Sequence, residues 1–237
     1  MTSPRVALLI DGGYFLKRLP ALRPFPLGGD TVEHIVKCLD RLVNGHLDKL
    51  NETHSLPVAW AMLHRVMYYD ANPYRDNATR PISRKNINFA LSDLAKQREA
   101  LFNAFRRKRK FALRLGHVYR ESDWSLTATA LKALLKGERQ IADLTDNDFT
   151  LGLRQKGVDM RIGIDITSLA YKKQVEKIIL VAGDADFVPA AKLARREGIE
   201  FILDPMWRSV SPDLFEHIDG LWSGLPKVNN KTKPEEQ

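Results

Sequence analysis

Two short segments of the chain, Val6-Ala7-Leu8-Leu9-Ile10 and Ile178-Ile179-Leu180-Val181-Ala182, are apolar at every position. A β-strand turns successive side chains to opposite faces, so a strand of this kind must be covered on both. That is the condition of an interior strand of a parallel sheet with helices on either side. Both runs end in turn-forming residues that carry acid. Asp11-Gly12-Gly13 follows the first run, and Gly183-Asp184-Ala185-Asp186 follows the second. Glycine there suits a sharp strand-to-helix turn.

The rest of the chain alternates in the same way. Apolar residues recur at helical spacing from about Thr31 to Leu50, with Asp30 or Thr31 as the cap. Pro20, Pro24, Pro26 and Gly28-Gly29 predict a loop before that helix. A strand ending at Tyr69 and Asp70 is expected next, then a helix over about 83–109 and a strand over 111–118. A helix over 127–136 and a loop over 143–150 follow. A helix over 158–173, a strand over 176–182, a helix over 187–197 and a core strand over 199–203 come after them, with a helical turn at 212–215. Strands alternating with helices imply an α/β fold, a Rossmann-like parallel sheet with right-handed crossovers. The expected organisation is a single domain over 1–225, with helical additions at about 20–57 and 121–155 and a disordered tail over 226–237. In such sheets ligands bind beyond the carboxyl ends of the strands. Asp11, Asp70, Asp184, Asp186 and Asp204 all fall at those ends.

The residue inventory narrows the chemistry. The single cysteine, Cys38, rules out an internal disulfide and a cysteine zinc site, and a reducing cytoplasm is the expected location. None of the six histidines pairs at the close spacing of a helical metal motif. A metal would therefore rest on oxygen ligands, which favours Mg²⁺ or Mn²⁺ over zinc. No apolar run reaches the roughly 18 residues of a membrane span, so no membrane partner is expected. The first residues run straight into a strand, and no secretory leader is expected. Net charge is +8, and its distribution is uneven. Between Arg84 and Arg120 stand eleven Lys or Arg against two acids, Asp93 and Glu99. Such a cluster suggests a polyanionic partner; the plain alternative is a solvated helix face.

Two carboxylates as close as Asp184 and Asp186 repel, and a cation between them relieves the repulsion. The plain alternative is that one of them caps the next helix. Asp159 and Asp165 lie six residues apart on the helix from Val158, about 240° around it. They do not share a face: Asp159 near the helix start can point to the strand ends, and Asp165 lies deeper among apolar residues. A buried acid there needs a hydrogen-bonding partner, such as a backbone amide or the Thr167 hydroxyl.

Ile10-Asp11-Gly12-Gly13-Tyr14, then Lys156-Gly157-Val158-Asp159 with Asp165, then Val181-Ala182-Gly183-Asp184-Ala185-Asp186-Phe187-Val188-Pro189 resemble the signature blocks of the NYN family, within the PIN-domain-like nucleases. The resemblance spans roughly residues 5–205. It implies a PIN-like sheet and a Mg²⁺- or Mn²⁺-dependent endoribonuclease. By that resemblance Asp11, Asp159, Asp184 and Asp186 are the catalytic, metal-binding carboxylates and Asp165 a supporting member. One departure is Gly12-Gly13-Tyr14, where many relatives carry an Asn soon after the first Asp.

The expected function is hydrolysis of RNA phosphodiester bonds by metal-activated water. Arg106, Arg107, Lys108, Arg109, Lys110 and Lys156 are the candidate RNA-binding residues. RNA, single-stranded or structured, is the expected partner, and a homodimer is the candidate assembly. Tyr14 and Phe187 flank the acidic turns, where core packing is the first reading and base stacking the second. A non-catalytic RNA-binding or adaptor protein on the same fold is the alternative. A phosphatase ranks last, because an aspartyl nucleophile would want Asp-x-Asp after the first strand.

Overall fold

The structure is a computed structural model that describes residues 4–22, 31–54 and 59–227. Along the chain, β1 (Val6–Asp11) leads into α1 (Gly12–Arg18), α2 (Val32–His54), the short α3 (Ala59–Met62) and β2 (Leu63–Asn72). Next come β3 (Asn77–Thr79), β4 (Asn86–Asn88), α4 (Asp93–Arg106) and β5 (Phe111–Leu126). Then follow α5 (Ala128–Leu135), β6 (Phe149–Lys156), α6 (Val158–Tyr171), β7 (Lys177–Val181) and α7 (Val188–Arg196). β8 (Glu200–Asp204), α8 (Pro212–Phe215) and β9 (Gly220–Leu221) complete the series.

The chain divides into two compact units. The first holds residues up to Asp70, Leu101–Leu115 and Val158 onward. Its strands lie in the order β5-β2-β1-β7-β8-β9, and β1 pairs in parallel with both β2 and β7. β7–β8 and β8–β9 are parallel as well. The two apolar runs of the sequence are thus neighbours at the centre of the sheet, and every side chain from Val6 to Ile10 is fully buried. On one face Val6, Leu8 and Ile10 pack with Phe15, with Ile35, Leu39, Leu42 and Leu47 of α2, and with Phe102 and Phe105 of α4. The opposite face is covered by α6 and α7, which contact each other, β1 and β8. Connections leave β1 toward β2 on one side, and β7 and β8 lie on the other. The order therefore reverses between β1 and β7, and a crevice opens at such a switch point outside the carboxyl ends.

The second unit holds residues 71–100 and 116–157. Its β3–β4 pair is antiparallel, and β6 runs antiparallel to residues 117–126 of β5, with register shifts around Ser122. Asp146 accepts from the backbone amides of Ile82 and Ser83 at 3.1 and 3.2 Å and pins the β3–β4 turn.

Several expectations change. Residues 83–92 do not belong to the helix that was expected over 83–109. They form β4 and a single 3-10 turn capped by the Asn88 side chain, and α4 begins at Asp93. The strand expected over 111–118 continues to Leu126, because β6 supplies an antiparallel partner. The loop expected at 143–150 gives way to β6 at Phe149. β9 adds a strand after the one expected to be last. α2 is a wall of the core rather than an addition to it. The loop at Pro24, Pro26 and Gly28-Gly29, the cap at Asp30 and most of the 226–237 tail lie outside the described residues. No described helix is long and apolar enough to cross a membrane.

Candidate carboxylate site

The switch point carries the acids. Asp11 is the last residue of β1, and its carboxylate accepts from the Tyr14 amide at 3.0 Å, capping α1. Asp70 lies beside it on β2, one residue past Tyr69, which pairs with Asp11 in the β1–β2 register. Asp70 is buried, with 5% of its surface exposed. Asp159 sits in the first turn of α6. Asp184 and Asp186 occupy the turn after β7, where the Asp184 side chain accepts from the Asp186 amide at 3.1 Å. The turn is drawn tight against α1: a Cβ on Gly183 would fall 2.4 Å from the Tyr14 ring. Tyr14 is held there by a 2.7 Å hydrogen bond from its hydroxyl to the Pro205 carbonyl. Phe187 is 2% exposed and belongs to the core. Both aromatics are committed to structure.

The acids feel one another. Burial pushes the Asp11 carboxyl up to about 6; the Tyr14 amide opposes the shift, and the Asp159 and Asp70 charges add to it. Asp159 is also raised, first by burial and then by the charges of Asp184 and Asp186. An unbroken electrostatic chain therefore links Asp70, Asp11, Asp159 and the Asp184–Asp186 turn. Oxygen donors in mutual repulsion suit a hard divalent cation. Their ligating geometry is not assembled, since among the described residues no three His, Cys, Asp or Glu side chains converge closely enough to hold an ion. The residues fit such a cation in the chemistry of their donors.

A pH dependence follows from Asp11. Its folded-state value lies above the ordinary carboxylate value near 4, so in metal-free protein the native state holds a proton that the unfolded state releases. Stability is then lost as pH rises through about 6 and regained as it falls toward about 4. Asp11→Asn keeps a good helix cap and removes this penalty. At neutral pH in chelator it is expected to be more stable than wild type by on the order of 3 kcal/mol. Urea midpoints at about pH 7 and pH 5 check this: the gap between the two proteins should fall to about half at the lower pH, and a constant gap would contradict the assignment.

Asp165 stands apart from these acids in its partners. Tyr69 Oη donates to Asp165 Oδ2 at 2.8 Å, and Arg114 Nε donates to the same oxygen at 2.9 Å. The partners of this acid are thus the Tyr69 hydroxyl and Arg114, where a backbone amide or the Thr167 hydroxyl was expected. Burial first, then the Asp165 charge and hydrogen bond, push the Tyr69 hydroxyl far above its ordinary range, so it stays a donor. Asp204, though it ends β8, is fully buried and faces His46, away from the acidic crevice.

The basic cluster is partly spent on structure. Lys108 Nζ grips both Asp40 oxygens, at 2.6 and 2.7 Å. Lys110 Nζ donates to the Trp60 and Leu63 carbonyls. Arg106, Arg107 and Arg109 are exposed. The Lys110 carbonyl accepts from the Val66 amide, and Val66 lies three residues before Tyr69 on β2. That offset sets the cluster roughly 10 Å along the sheet from Asp11 and toward the amino ends of the strands. In the second unit Lys156 Nζ lies 5.7 Å from the centre of the Tyr119 ring.

The sequence puts Asp70 at a strand end, but nothing in it marks Asp70 as part of the site, and no local pattern points to Tyr69. Arg114 stands in the sequence only as one charge among eleven. The usable signal was that β2 follows β1 in the chain and therefore tends to lie beside it.

A family model for the NYN domain matches residues 76–218. Asp159, Asp165, Asp184 and Asp186 fall inside that stretch, and Asp11 lies before it. Among curated proteins, the uncharacterized protein y4oD of Sinorhizobium fredii (strain NBRC 101917 / NGR234) is 32% identical over 87 residues, 33% of this chain and 41% of that protein. The chain therefore spans less than half the length of that curated relative. Among solved structures, VPA0982 of Vibrio parahaemolyticus RIMD 2210633, a protein of unknown function, is 16% identical with a TM-score of 0.45, over 92% of this chain and 91% of its own. A likeness at that distance bears on no functional question. The match to the NYN model extends over more than half of the chain, and the protein belongs to the NYN domain family.

Proposed function

We propose that this NYN protein is a metal-dependent ribonuclease, in keeping with the nuclease character of its family. The observation that carries the reading is the clustering of acids at the β1/β7 switch point, where Asp11 is raised to about 6 in part by Asp159 and Asp70. Asp11, Asp159, Asp184 and Asp186 would hold Mg²⁺ or Mn²⁺, with Asp70 close behind. When bound, the cation would supply Lewis acidity toward the phosphate and make a water acidic enough to attack phosphorus. The carboxylates would orient that water and take its proton. The Tyr14 amide fixes Asp11 through Oδ1. Exposed Arg106, Arg107 and Arg109 would meet flanking stretches of a longer RNA, contributing affinity rather than chemistry.

The alternative is an RNA-binding or adaptor protein without activity. What favours it is that no three candidate ligands converge among the described residues. One experiment separates the two. Purified protein is incubated with end-labelled single-stranded and duplex RNAs in Mn²⁺, Mg²⁺ or chelator. Cleavage that needs the cation and leaves 5′-phosphate ends is expected. RNA binding without cleavage in either cation, by folded protein, would establish the adaptor reading.

A further inference from the structure

We infer that Arg114 is a phosphate-binding residue, held beside the carboxylate site by Asp165 and Tyr69 so that the far side of its guanidinium meets an RNA strand. The inference rests on the nuclease reading for the nature of its ligand.

The geometry is unusual for a purely structural arginine. Arg114 touches Asp165 only through Nε, at 2.9 Å. Its two terminal nitrogens have no partner among the described residues, and its side chain is 39% exposed. Arg139 shows the contrasting structural arrangement: both of its terminal nitrogens are spent on Asp148, at 2.6 and 2.9 Å. A guanidinium offers five N–H donors in a fixed fork. With one donor used, four remain on the terminal nitrogens, enough to take two phosphate oxygens side by side.

Its surroundings set the direction. Leu113 and Leu115 on either side pack into the core beneath α2 and α4, so Arg114 projects from the other face, the face of α6. Tyr69 shares its target oxygen and pairs with Asp11 across the β1–β2 register. β5 is two strands from β1, roughly 10 Å in the plane of the sheet. That is within the span of one or two nucleotides of a single strand. Asp165 holds the guanidinium plane still, and Tyr69 in turn holds Asp165, so less side-chain freedom is lost when the anion arrives. Beside a set of acids at the strand ends, a fixed cation also gives the polyanion a favourable point of entry.

The test uses the full chain in chelator, so that binding is read without cleavage. Anisotropy of a labelled single-stranded RNA is followed over a salt series for wild type, Arg114→Gln and Arg114→Lys. Arg114→Gln is expected to bind about tenfold more weakly, with the slope of log K against log salt reduced by about 0.7. Arg114→Lys keeps the charge, but one ammonium cannot reproduce the fork to Asp165 and phosphate together, so an intermediate loss is expected. If Arg114→Gln melts below the assay temperature, the lysine variant alone carries the comparison. Unchanged affinity and slope in folded variants, or no RNA binding by wild type, overturns the inference. Failure of the nuclease reading looks different: binding that depends on Arg114 without any cation-dependent cleavage leaves the phosphate site standing.

Discussion

Asp11→Asn and Asp184→Asn are each expected to lower cation-dependent RNA cleavage by on the order of a hundredfold or more, while the fold and RNA binding persist. Asn preserves the shape of each side chain and its local duty. At position 11 it still accepts from the Tyr14 amide, and at position 184 it still accepts from the Asp186 amide. What goes is one negative charge beside the cation. The double variant should lose little beyond the worse single one, because groups acting through one cation fail together. Binding should hold or tighten, since repulsion toward phosphate has fallen. Gel-based cleavage and filter binding on the same RNA, at one salt and with Mn²⁺ present, give the comparison. Double-variant activity near wild type would place the chemistry elsewhere.

The candidate acids were legible in the sequence because the chain announces them. Asp11 and the Asp184–Asp186 pair interrupt otherwise apolar, fully buried strands, and a charge in that position must lie at a strand end. Helical period alone separated Asp159 from Asp165, and the structure gives them different partners. Those partners were not legible. Tyr69 and Arg114 lie 96 and 51 residues from Asp165, and no local pattern links residues so far apart. The same limit applied to charge. Composition located the cations between Arg84 and Arg120, but not that Lys108 answers Asp40 or that Lys110 serves two carbonyls. The 83–92 error has a different origin. A hairpin built from three-residue strands, such as Asn77–Thr79 on Asn86–Asn88, is too short to show a period of two. Neighbouring apolar residues at helical spacing then extended the helix backward across it.

The largest expected loss of stability lies in a polar cluster that the catalytic reading leaves unused. Asp204 is fully buried at the end of β8 and accepts from the Met206 amide at 2.7 Å, the Gly224 amide at 3.0 Å and His46 Nε2 at 2.8 Å. Trp222 Nε1 donates to His46 Nδ1 at 3.0 Å, which assigns the ring proton to Nε2. Burial pushes the Asp204 carboxyl up, but the hydrogen bonds from His46 and Gly224 outweigh it and hold the group below its ordinary range. The segment after β9 can reach α2 because both surfaces are bare: a Cβ on Gly45 would fall 2.0 Å from the Gly224 carbonyl oxygen. His46→Ala would therefore leave a buried carboxylate short of a donor, an indole N–H unpaired and a cavity behind them. A loss of about 3–5 kcal/mol is expected, or on the order of 10 °C in Tm for a chain of this size. Asp204→Asn should cost less but still destabilise, because its amide would set a donor against the N–H groups it faces. Cation-dependent cleavage per folded molecule should stay near wild type in both, since neither residue enters the crevice. Thermal melts beside cleavage assays well below Tm decide the matter: an Asp204→Asn protein that melts normally yet cleaves nothing would move Asp204 from the scaffold into the active site.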